Sequence, residues 1–302
     1  MKKRTVWSLF SLLLVAGLLT ASLAGCGATP APATAPEPTE AVAAAPTEPP
    51  EATQPPEPTE AEPTTPPQAE ESSITIVIAE DPPGFNGAVS ETGFEILVME
   101  LALLSMTDID DMGNVFPEVA AELPTIDNGD VVVDEDAWTM DVTWKMRDDV
   151  QWADGEPLTA DDVVFTWNAI ADPDTGIWVP GLDYTDSIEK IDDYTFVVHY
   201  NTVYPGYLTQ LGGYTVAIWP EHYCDASQGF VSWDCNRDPL SSGPYILEEW
   251  QTGDHLTLVR NPNYFEEDKP GIDQILVQIV PEGSVRKTMM MGGDADLDMW
   301  LS

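Results

Sequence analysis

The stretch 138–170, WTMDVTWKMRDDVQWADGEPLTADDVVFTWNAI, constrains this chain more than any other, because a strand, two turns and a helix can all be bounded from its residues. Trp138, Met140, Val142, Trp144 and Met146 fall at every second position, with Thr139, Asp141, Thr143, Lys145 and Arg147 between them. That spacing predicts a strand with one buried face. Asp148 and Asp149 interrupt it, residues 150–152 resume it, and Asp154-Gly155 makes the next turn, where glycine accepts positive φ at no steric cost. Thr159 is the expected N-cap of the following helix, with Asp162 three residues on to complete a reciprocal capping box. Leu158 and Val163 take the staple positions, Asp161 and Asp162 place negative charge at the positive end of the helix dipole, and Val163, Trp167 and Ile170 form the buried stripe.

The run RDDVQWADGEPLTADDVVFTWNAI resembles the signature segment of the family 5 solute-binding proteins of ABC transporters, which capture oligopeptides, dipeptides, nickel chelates and some sugars outside the cell. Two further blocks are similar to that family: residues 114–123 (NVFPEVAAEL), and residues 239–264, with Gly243-Pro244-Tyr245, Trp250, Gly253 and Arg260-Asn261-Pro262 in place. Ser241-Ser242 replaces the commoner Gly-Thr there. The resemblance covers about residues 74–302. It implies an α/β, periplasmic-binding-protein-like (type II) two-lobed fold, with mixed β-sheets flanked by helices and mainly lobe I present. The family's blocks end where the chain would cross into lobe II, so lobe II is expected to be missing, through a fragmentary sequence or a truncated gene product.

In chain order, Lys2, Lys3 and Arg4 precede an apolar run over 6–19 that is short for a membrane span and suits a secretory signal. Leu23-Ala24-Gly25-Cys26 resembles a bacterial lipobox, which would make residues 1–25 a lipoprotein signal peptide and Cys26 the acylated anchor; an ordinary cleaved signal is the alternative. Residues 26–71 follow as a Pro/Thr/Glu-rich disordered tether holding nearly half of the 27 prolines and no aromatic residue. A glycosylated stalk would look the same.

The solute-binding domain is expected over 72–302. Residues 74–79 read as a strand ended by Asp81-Pro82-Pro83-Gly84, and 94–106 as a helix with Glu95 and Glu100 as its charged positions. By resemblance the loop between them borders the ligand cleft, which brings in Thr92 and Gly93. Trp178 sits in a polar loop over 172–181, either plugging a local core or lining the cleft. Residues 188–200 form a hairpin turning at Asp192-Asp193. Residues 204–223 resemble the family's helix, strand and proline turn, with Tyr214 near the cleft. A strand over 275–280 and a helix over 284–291 close the pattern.

With Cys26 lipidated, Cys224 and Cys235 remain as a pair for an oxidising compartment; free thiols, or a zinc site with His222, are the alternatives. The 53 acidic against 11 basic residues, and the absence of Lys or Arg between Thr5 and Trp144, disfavour nucleic acid and anionic lipid as partners. His199, His222 and His255 have no metalloprotease spacing, and neither a serine elbow nor a phosphate loop is present. No catalytic residue, metal or cofactor is assigned. The expected function is non-enzymatic: a lipid-anchored receptor on the extracytoplasmic face of the membrane captures a small ligand, an oligopeptide or dipeptide foremost, and hands it to ABC permease subunits. An exported hydrolase, or a non-transport surface module on the same scaffold, is the competing class.

Overall fold

A computed structural model describes residues 72–299 apart from Glu91 and Tyr214, and all of these fall within one contact-dense unit, Thr65–Ser302. The lipobox, Cys26 and the tether lie outside the described residues. In chain order come β1 (Ser73–Ile78), α1 (Phe94–Ala102), β2 (Thr107–Ile109), β3 (Val115–Pro117), β4 (Val131–Asp134) and β5 (Thr139–Lys145). Next are α2 (Ala160–Ala171), β6 (Thr185–Asp192), β7 (Thr195–Tyr200) and α3 (Tyr207–Gln210). The last elements are β8 (Tyr245–Gln251), β9 (His255–Arg260), β10 (Gln274–Ile279), α4 (Gly283–Gly292) and β11 (Leu297–Asp298).

These strands make two main sheets. In the first, ordered β11-β1-β10-β9-β8, β1 runs parallel to both β10 and β11 while β8, β9 and β10 are antiparallel neighbours. A strand flanked on both sides and covered on both faces needs an unbroken apolar run, and Ile76, Val77 and Ile78 are all buried. The second sheet, ordered β4-β5-β7-β6, is wholly antiparallel and half-covered. Its strand β5 alternates accordingly, with Met140, Val142 and Trp144 inside and Asp141 and Lys145 outside. Trp144 stacks on Phe196 of the neighbouring β7 at 6.4 Å. The mixed sheets with flanking helices agree with the fold expected from the sequence.

Helix α2 begins as its residues dictate. The reciprocal box between Thr159 and Asp162 forms, the Thr159 amide donating to Asp162 Oδ2 at 2.9 Å. Val163, Trp167 and Ile170 are buried, and Gly155 turns the preceding loop at φ 92°. The same Asp162 carboxylate also accepts from Trp152 Nε1 at 3.3 Å and from the Glu221 amide at 2.9 Å.

Three expectations are corrected. Trp138 does not join the buried face of β5: it closes the β4–β5 turn at φ 60° and is 61% exposed, because the turn needs a left-handed residue there and that takes its side chain out of the strand's alternation. The helix expected over 94–106 stops at Ala102. Residues 103–106 are extended and buried, with the Leu104 carbonyl accepting from Ile218 and the Met106 amide donating to Leu211, both at 2.9 Å. An apolar run buried on all sides carries no period that distinguishes the two conformations. Within 204–223 the helix shortens to α3, and in place of the expected strand residues 216–220 join no sheet.

Candidate functional site

The loop that follows β1 is shaped by side chains from the far end of the chain. Asp81 accepts from Trp250 Nε1 at 2.9 Å through one carboxylate oxygen and from the Gly253 amide at 2.7 Å through the other. Trp250 is thereby fixed as a platform: Phe85 meets it edge-on at 5.7 Å, and the Arg237 guanidinium lies 3.7 Å from its ring centroid on the face. The second anchor is Asn236. Its carbonyl accepts from the Phe85 amide at 2.7 Å, its Oδ1 from Asn86 Nδ2 at 2.9 Å, and its own Nδ2 donates to the Phe230 carbonyl at 2.9 Å. Gly84 is required at this crossing, since a Cβ there would stand 2.7 Å from the Asn236 oxygen.

Asn236 is held in turn by its neighbour. Cys224 and Cys235 form a disulfide with Cα atoms 5.7 Å apart, and both cysteines are buried. The loop it closes is packed on aromatic rings: Trp233 stacks on Phe165 of α2 at 5.1 Å and meets Phe230 edge-on at 4.8 Å. Between this loop and the segment after β1 lies a groove of about 290 Å³, lined by Pro83, Asn86, Ser90, Ser232, Trp233 and Arg237 among others.

The residues singled out from the sequence are distributed as follows. Thr92 and Gly93 lead from the groove's Ser90 into α1, where Gly93 is the N-cap at φ 85°. The Thr92 amide and hydroxyl both donate to the Glu95 carboxylate. Burial acts to raise the Glu95 pKa, yet these bonds and the amides of Gly93 and Glu95 hold it below the usual carboxylate range. Glu95, expected as a charged position of this helix, is charged but buried, its carboxylate turned back onto Thr92. Trp178 is 64% exposed, with Nε1 donating to Asp183 Oδ2 at 3.1 Å, so it does not plug a local core. No hydrogen bond or ring contact among the described residues joins it to Thr92 or Gly93. Tyr214 and Cys26 lie outside the described residues. Among the described residues no group of three His, Cys, Asp or Glu side chains is placed to hold a metal ion.

Sequence reasoning passed over Asp81, Asn86, Asn236 and Arg237. Asp81 was visible as a strand terminator, and Trp250 as part of a family block, but nothing in either stretch shows that the two meet across 169 residues.

Residues 114–300, more than half of the chain, match the family model for bacterial extracellular solute-binding proteins, family 5 (middle region). The chain belongs to this family. Among curated relatives it is 32% identical over 181 residues to protein XP55 of Streptomyces lividans, covering 60% of this chain and 31% of that protein. It is 26% identical over 223 residues to the oligopeptide-binding protein AppA of Bacillus subtilis, covering 71% of this chain and 38% of AppA. The solved structure of that AppA in complex with a nonapeptide superposes with a TM-score of 0.61 at 23% identity, over 76% of this chain and 44% of AppA, a likeness of fold. The chain thus spans about a third of the length of these curated relatives.

Proposed function

We propose that the protein is a lipid-anchored receptor on the extracytoplasmic face of the membrane that captures a solute, a peptide foremost, and presents it to an ABC importer without transforming it. Membership of the extracellular solute-binding family 5 carries this reading. Two features support the finer parts. The Leu-Ala-Gly-Cys26 sequence after a short apolar run supports acylation, and residues 26–71 then serve as the tether. The relative AppA is named for oligopeptide binding, and its solved structure holds a nonapeptide.

In this reading the groove after β1 is one wall of the ligand site, with Thr92, Gly93, Trp178 and Tyr214 as further contacts. An exposed tryptophan steadied by one carboxylate supplies apolar area at low entropic cost when a ligand covers it. Capture proceeds by population shift toward a closed form whose contacts with the ligand reach both lobes.

Two measurements on the full-length protein test the reading. Mass spectrometry of the purified protein should find a co-purifying solute, with peptides foremost. Palmitate labelling in the host should mark the wild type and spare Cys26→Ser. Turnover of peptides or glycans by the purified protein, or labelling that survives the substitution, would sink it.

A further inference from the structure

In a chain with a formal net charge of −42, cations are expected to be taken up by neighbouring carboxylates. Among the described arginines, Arg147 bonds Asp149, Arg260 bonds Asp273 and Arg286 bonds Asp298. Arg237 has no carboxylate within 4.0 Å among the described residues. Its plane is fixed instead by the Trp250 face at 3.7 Å and by donation from Nη2 to Thr252 Oγ1 at 3.1 Å. An arginine oriented this way keeps most of its five donors for a planar acceptor.

A second donor points to the same chemistry. Trp233 is 3% exposed, and its Nε1–H finds no acceptor among the described residues. A buried N–H left without an acceptor is costly; Trp144 Nε1 and Ser241 Oγ share that state, and Trp233 is the one of the three that borders either groove. Trp233 borders two grooves. One, on the α2 side, is rimmed by Asp161, Asp172 and Glu221, which would repel an anionic acceptor. The other is the groove after β1, where Ser90, Ser232 and Arg237 stand beside it. Asp234 also borders that groove and keeps its charge, its Oδ2 accepting from the neutral Gln228 Nε2 at 2.8 Å, so one carboxylate stands here against three on the α2 side.

We propose that Arg237 and Trp233 form a carboxylate subsite in the groove after β1, which receives the carboxylate of an otherwise neutral or zwitterionic solute. The acidic surface then disfavours dianions, while a single carboxylate with an ammonium elsewhere in the molecule gains from both. A guanidinium–carboxylate pair on an aromatic platform is the strong, bidentate type of contact. The inference rests on the receptor reading for its purpose, and on the groove alone for its geometry.

The test is a titration of the folded full chain, following the Arg237 Nε–H and Trp233 Nε1–H resonances by NMR, at constant chloride concentration. The probes are acetate, triglycine and triglycinamide. Acetate and triglycine should shift both resonances saturably, and triglycinamide should not. Arg237→Gln should weaken the triglycine response about tenfold or more, with Arg237→Lys intermediate. Both substitutions are at an exposed side chain, and an unchanged melting temperature confirms that the fold survives. Equal responses to triglycine and its amide, a response indifferent to Arg237→Gln, or no saturable response would each overturn the subsite. So would an Arg237 resonance that moves in Glu91→Gln without any probe, since Glu91 would then be its partner. A carboxylate response in a protein that carries no co-purifying solute would instead count against the receptor reading.

Discussion

The carboxylate of Asp162, in the first turn of α2, accepts a hydrogen bond from the amide of Glu221 at 2.9 Å across 59 residues. The same group caps its own helix through Thr159 and receives Trp152 Nε1. One acidic side chain thus sets where α2 starts, how the segment 150–152 before it is seated, which carries an isolated bridge from Gln151 to Pro157 where a resumed strand was expected, and where the turn after Pro220 docks. This explains why the signature run has an aspartate at that position in terms of bonds and not of surface charge.

Asp162→Ala should therefore be far more damaging than Asp161→Ala, although both are first-turn acids. Removing Asp162 leaves three donors without their acceptor, for an expected loss of about 2–4 kcal/mol. Asp161, itself exposed, holds only Lys190, for less than about 1 kcal/mol. Urea unfolding of the two variants checks the ordering, and equal losses would refute it.

Glu118 gives the fold a pH dependence of known sign. It is half-buried with Oε2 accepting from the Ser105 amide at 2.7 Å, and burial, with Asp108, Glu100 and Glu266 adding, pushes its pKa from 4.5 up to about 8. A carboxyl raised in the native state is most favourable when protonated. Its stabilisation is complete below the unfolded value near 4.5 and is lost as pH rises through about 8. Melting temperature should fall between pH 5 and pH 9 in the wild type and fall less in Glu118→Gln, on the order of a few degrees apart at the alkaline end.

Loss of the Cys224–Cys235 disulfide should act at a distance. Opening a loop of this size costs about 2–4 kcal/mol. Because Cys235 adjoins Asn236, whose carbonyl holds the Phe85 amide, the double Cys→Ser variant should also exchange that amide faster. Hydrogen exchange that accelerates only inside the disulfide loop would show that the two segments are uncoupled.

Trp178→Ala should weaken capture of the co-purifying solute by about tenfold while leaving the melting temperature unchanged, since the ring is largely exposed. Calorimetry and a thermal melt on one preparation separate the two effects. Unchanged affinity would remove Trp178 from the site.

Much of the architecture was legible because it is written in local patterns. The capping residues of α2, the alternation along β5, and the hairpin of β6 and β7, which begins at Thr185 ahead of the expected start at 188, all depend on neighbours within a few positions. What escaped depends on distant partners. The helix drawn through 103–106 failed because Leu104 and Met106 bond to residues beyond position 210. Trp138 failed because a turn overrode the strand period. The groove after β1 could not be foreseen: Asn86 and Asn236, 150 residues apart, are ordinary asparagines until the fold brings them together.

Strand β1 has one further consequence. Its partners β10 and β11 both lie near the other end of the unit, and the pairing of Ser72 with Asp273 spans 201 residues. As the polypeptide emerges N-terminus first from a ribosome or a translocation pore, SITIVI is an uncharged, β-prone hexapeptide with nothing to zip against until most of the unit has followed. Such a segment invites sticking to its own kind in the interval, so efficient production of this protein should depend on whatever holdase shelters nascent chains on the far side of the membrane.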